Sequence, residues 1–96
     1  MDEWQILQTG GHVYVSVKDM KLKGSDTKFA VGVADDSVCI YDAPYDEKWT
    51  FFDKEAKCWP ICTAEDVRNF LIQSKEFFTP EQQEDILRQR DRMNEI

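Results

Sequence analysis

Histidine is almost missing from this chain: His12 is the only imidazole among 96 residues. A serine or cysteine nucleophile needs a base beside it. His12 follows the Gly10-Gly11 pair and is read as solvated, so catalysis is not expected and no catalytic residue is assigned. Cysteine is scarce and odd in number: Cys39, Cys58 and Cys62. The start Met1-Asp2-Glu3-Trp4 lacks the basic stretch and apolar run of a secretory leader. The expectation is therefore reduced thiols packed as small apolar side chains, not a disulfide framework. Three residues separate Cys58 from Cys62, where zinc knuckles and thioredoxin-type pairs commonly use two, so no metal, redox centre or cofactor is expected. Glycine is limited to four residues, too few and too scattered for a phosphate-cradling loop. No apolar run approaches the roughly 20 residues of a spanning helix, so no membrane contact is expected. Basic side chains are outnumbered, 12 against 19 acids, for a net charge of −7. Phosphate affinity comes from clustered lysine and arginine, so direct nucleic-acid binding is disfavoured.

What is present supports one α+β domain over residues 1–96. The apolar fraction of 42% and aromatic fraction of 12% exclude compositional disorder and supply one modest core. The charge is uneven. In residues 1–34 Asp2, Glu3, Asp19 and Asp26 are balanced by Lys18, Lys21, Lys23 and Lys28. In residues 35–66 nine acids face only Lys48, Lys54 and Lys57. Residues 67–96 return to near balance. The lysine group of the first third reads as a solvated edge that discourages aggregation.

The first two-thirds read as strands over residues 4–8, 12–18, 28–34, 38–41 and 48–53, forming an antiparallel sheet of four to five strands within residues 4–58. Val13, Val15 and Val17 alternate with His12, Tyr14, Ser16 and Lys18, a period of two. Phe29, Val31 and Val33 repeat it, and Asp35-Asp36-Ser37 turns the chain into Val38–Tyr41 as a hairpin. Met20–Ser25 reads as a loop or edge, and residues 53–57 as a charged turn.

The last third predicts two helices, over 64–77 and 80–94, packed on one face of the sheet. Thr63 with Asp66, and Thr79 with Gln82, have capping-box spacing, the second helped by Pro80 in its first turn. Cys62 and Val67 are placed to staple the first cap. Val67, Phe70, Leu71, Ser74 and Phe78 form one helical stripe. The second helix has only Ile86, Leu87, Met93 and Ile96 as apolar residues, which predicts shallow packing or completion by a partner.

The stretch Tyr41-Asp42-Ala43-Pro44-Tyr45-Asp46-Glu47-Lys48-Trp49 interleaves aromatics with acids. Tyrosine and tryptophan dominate interface hot spots, and acids around them steer a basic partner. The candidate partner-binding residues are Asp35, Asp36, Tyr41, Asp42, Tyr45, Asp46, Glu47, Trp49, Asp53 and Glu55. The function expected is that of a small acidic inhibitor. It would dock on a basic surface of a nuclease or other nucleic-acid-handling protein by presenting carboxylates where phosphates would sit. By analogy of size and charge, such chains suit phage-encoded anti-defence proteins of the anti-CRISPR kind, or immunity proteins that neutralise toxins. The expected location is the cytoplasm, that of the host if the chain is phage-encoded. The alternative is a structural or assembly subunit that forms a homodimer through residues 80–96.

Overall fold

The computed structural model describes residues 3–9, 13–45 and 55–95. Among them β1 (Gln5–Thr9), β2 (Val13–Lys21), β3 (Lys28–Val33), β4 (Ser37–Tyr41) and β5 (Glu55–Pro60) form one antiparallel sheet in the order β1-β2-β3-β4-β5. Helix α1 (Ala64–Gln73), a short 3-10 turn (Ser74–Glu76) and helix α2 (Pro80–Met93) follow. This is the expected α+β architecture. The strand read over residues 48–53 lies outside the described residues.

Three local readings need correction. β2 runs on to Lys21 where a loop was expected, because Met20 pairs with Phe29 and is buried beneath the helices. The turn that follows closes with the Ser25 N–H donating to the Leu22 carbonyl, and Gly24 takes a φ of 76° that a side chain would resist. Residues 55–57 are strand rather than charged turn. Lys57 and Trp59 fall on one side of the strand and Cys58 on the other, as the period of two requires. The first helix stops at Gln73, and Ser74 begins the tighter 3-10 turn.

The thiols also differ from expectation. Cys39 and Cys58 sit opposite each other in the β4–β5 register and are joined as a disulfide. Direct pairing on adjacent strands brings the two backbones to a Cα–Cα distance of 4.1 Å, so spacing along the chain said nothing about their proximity. Cys62 is free and exposed, not buried as an apolar group.

The register places two apolar faces on the sheet. The helix-covered face carries Met20, Val31, Val33, Val38, Ile40 and Trp59, which meet Ile61, Phe70, Phe78 and Ile86. Trp59 is its hub, with Phe70 at 5.5 Å and Phe77 at 5.7 Å edge-on and Phe78 at 6.2 Å. Its indole N–H has no acceptor among the described residues. The opposite face holds a smaller cluster of Val15, Val17, Ala30 and Tyr41, with Leu7, Cys39 and Tyr45 at its margin. Val15 and Val17 of β2 therefore look away from the helices. The polar side of that strand is the one turned inward, and Ser16 is fully buried there.

Both helix starts are capped as the spacing predicts. The Asp66 N–H donates to Thr63 Oγ1 and the Thr63 N–H to the Asp66 carboxylate, each at 3.1 Å. The Thr79–Gln82 pair repeats this at 2.9 and 3.2 Å. Helix α2 is not shallow: Gln83, Ile86, Gln89 and Met93 are all buried. Half of that face is glutamine, and each has partners. Gln83 donates to the Leu71 carbonyl and Ser74 Oγ, and Gln89 accepts from Ser16 Oγ at 3.1 Å.

Candidate docking surface

The meander separates the acidic candidates. The β3–β4 turn, with Asp35 and Asp36, lies at one end of β4, and Asp42 follows its other end. Five strand residues intervene, which is about 17 Å of extended chain.

At the first end the Asp36 carbonyl accepts from the Ile61 N–H at 2.8 Å, tying the turn to the segment leading into α1. The Ala34 N–H donates to the Ser37 carbonyl at 2.8 Å, closing the turn so that both aspartates face outward and are exposed. Exposed Glu65, in the first turn of α1, comes to the same end. The sequence reading gave Glu65 no role outside the helix start. The strand-to-helix connection after Pro60 was the signal that could have placed it. Arg90 reaches this end as well, but its guanidinium is engaged by the Ile61 carbonyl and by Asp91.

At the other end, Tyr41 is 2% exposed and belongs to the smaller core, so it leaves the docking set. Tyr45 is half-buried, and its N–H donates to the Asp19 carboxylate at 2.9 Å. That bond draws the chain after β4 across the sheet toward β2. Asp42 is exposed between these inward-turned aromatics. Glu55 opens β5 opposite Tyr41, beyond an irregularity in the ladder at Ile40/Tyr41. Asp46, Glu47, Trp49 and Asp53 lie outside the described residues, as does His12.

Of the lysine group, Lys21, Lys23 and Lys28 are exposed and Lys18 is half-buried. Lys18 Nζ lies 3.4 Å from the Asp85 carboxylate and 5.8 Å from the Trp4 ring centroid. Asp85 also accepts from the Trp4 indole at 2.9 Å. Lys23 donates to the Lys75 carbonyl. A groove of about 390 Å³ opens here, lined by Lys18, Lys21 and Lys28 together with Asp19, Glu81 and Asp85, so neither sign of charge dominates it.

Among the described residues, no three histidine, cysteine, aspartate or glutamate side chains gather as a metal site, and no helix is long and apolar enough to cross a membrane. Comparison with protein-family models, with curated proteins and with solved structures gives no match.

Proposed function

We propose that the chain is a binding domain that docks on a basic surface of a nucleic-acid-handling protein, its carboxylates occupying positions that phosphates would take. The observation that carries this reading is the concentration of excess negative charge in residues 35–66, combined with the exposure of Asp35, Asp36, Asp42 and Glu65. Tyr41 and Tyr45 turn toward the sheet, so the described part of this surface is carboxylate rather than aromatic. Such a surface steers association over long range and weakens as salt rises. An anti-defence or toxin-neutralising inhibitor would use a surface of this kind.

Self-association through residues 80–96 would have to use the charged outer side of α2. Ile86 and Met93 are buried within the chain, and Leu87 packs against its main core.

The test is capture of partners on the immobilised chain, with identification by mass spectrometry and titration of the purified partner. A basic nucleic-acid-handling partner should be released by raised salt and displaced by duplex DNA. D42K/D46K/E47K and D35K/D36K, made separately, show which end of the sheet carries the contact. At least one should weaken binding 100-fold or more with the melting temperature retained. Wild-type affinity in both, or a salt-resistant complex indifferent to DNA, sinks the proposal.

A further inference from the structure

We infer that the Cys39–Cys58 disulfide is a thiol-responsive clamp that holds β5, the last strand of the sheet among the described residues, against β4. Four observations converge on it. The cysteines are directly opposed, so the bond fastens β5 to β4, its strand neighbour among the described residues. The regular ladder around the bond is short: the register shifts between Ile40 and Tyr41 toward one end, and Pro60, which has no N–H to donate, closes the strand at the other, where the Ile61 N–H donates to the Asp36 carbonyl. Cys58 is exposed, so an attacking thiolate can reach that residue without unfolding the chain, whereas Cys39 is half-buried beside the smaller core. The bond spans 19 residues of sequence, and those residues include Tyr41, Asp42 and Tyr45.

The chemistry is exchange with an external thiol of the glutathione class. Its thiolate attacks Cys58 Sγ, forming a mixed disulfide, and Cys39 leaves as a thiolate that takes a proton. A second thiol attacks the external sulfur of that mixed disulfide. This releases Cys58 as a thiolate that takes a proton; the two external thiols have given two electrons to the protein bond and leave joined as the oxidised external disulfide. Each step balances, and Cys62 takes no part. In the reduced chain β5 keeps its contacts with α1 but loses the covalent tie to β4. Residues 55–57 then open locally, while β2 and β3, zipped on both sides, stay closed. The presentation of Asp42 becomes thiol-dependent. That consequence rests on the proposed docking function, but the clamp itself does not.

The experiment uses the full chain as Cys62→Ser, which prevents scrambling, before and after dithiothreitol without denaturant. The permanently open form is the Cys39→Ser/Cys58→Ser/Cys62→Ser variant. Thiol counting should give none before treatment and two after it. Reduction should lower the melting temperature by roughly 13–25 °C, the size expected for a loop of this length. Amide exchange at residues 55–57 should quicken at least 10-fold while β2 and β3 keep their protection, and the triple variant should match the reduced protein. The inference is overturned by thiols that are already free, by a bond that yields only in denaturant, or by loss of protection across β2 and β3 together with β5. None of these readouts involves a partner, so a failed docking proposal and a failed clamp are separable.

Discussion

The two faces of the sheet are built on different principles. The smaller cluster is a patch of valine, alanine and tyrosine, with a polar tie beside it from the Tyr45 N–H to the buried Asp19 carboxylate. The helix-covered face combines a larger aromatic core with a seam of paired polar groups: Ser16 with Gln89, Gln83 with Ser74, Gln82 with the Lys21 carbonyl, and Asp85 with both Trp4 and Lys18. Apolar burial supplies most of the free energy and is roughly proportional to area. Hydrogen bonds contribute less per pair but fix where a helix must lie, because a slipped helix leaves buried groups unsatisfied. The difference teaches that α2 is positioned by its seam and stabilised by its core.

The comparison is broken hardest at Phe70. Phe70→Ala should cost about 4 kcal/mol in urea unfolding, since a fully buried aromatic leaves a cavity under Trp59 and Phe78. Val17→Ala, equally buried on the other face, should cost about 2 kcal/mol. Equal losses would mean that the faces contribute alike. Gln89→Leu should cost about 1.5 kcal/mol by stranding the Ser16 hydroxyl, and Ser16→Ala added to it should recover most of that loss. Additive losses in that cycle would remove the seam from the account. Thr79→Ala should cost about 1 kcal/mol by uncapping α2, measured as thermal stability. Smallest of all, Lys18→Met should cost about 0.5 kcal/mol, because Lys18 and Asp85 keep a quarter or more of their side chains in water. That cost should shrink further at high salt.

Much of this was legible in the sequence because it is local. The capping spacings of Thr63 and Thr79, the alternation of β2 and β3 and the aspartate turn all act over a few residues, and each appears where its pattern put it. What was not legible is set by pairing between distant segments. Alternation says that Val15 and Ser16 point oppositely, but not which of them meets the helices. A polar strand face looks solvated until a helix with buried glutamines is laid over it. The Cys39–Cys58 bond depends on the β4–β5 register, which no spacing rule contains. The candidate site was legible as charge but not as shape. Asp35, Asp36 and Asp42 are exposed acids, but the turn and the strand end put them at opposite ends of β4, and Tyr41 is committed to packing.

The strand order carries one further consequence, for the chain during its own synthesis. Among the described residues each strand pairs with the strand before it, so the sheet can zip from the N-terminus as residues leave the ribosome. Val31, Val33, Val38 and Ile40 must then wait, uncovered, for residues 64–93 to arrive and cover them. Nascent chains halted before Thr63 should therefore present a sticky, half-finished sheet and recruit chaperones, and chains released beyond Met93 should not.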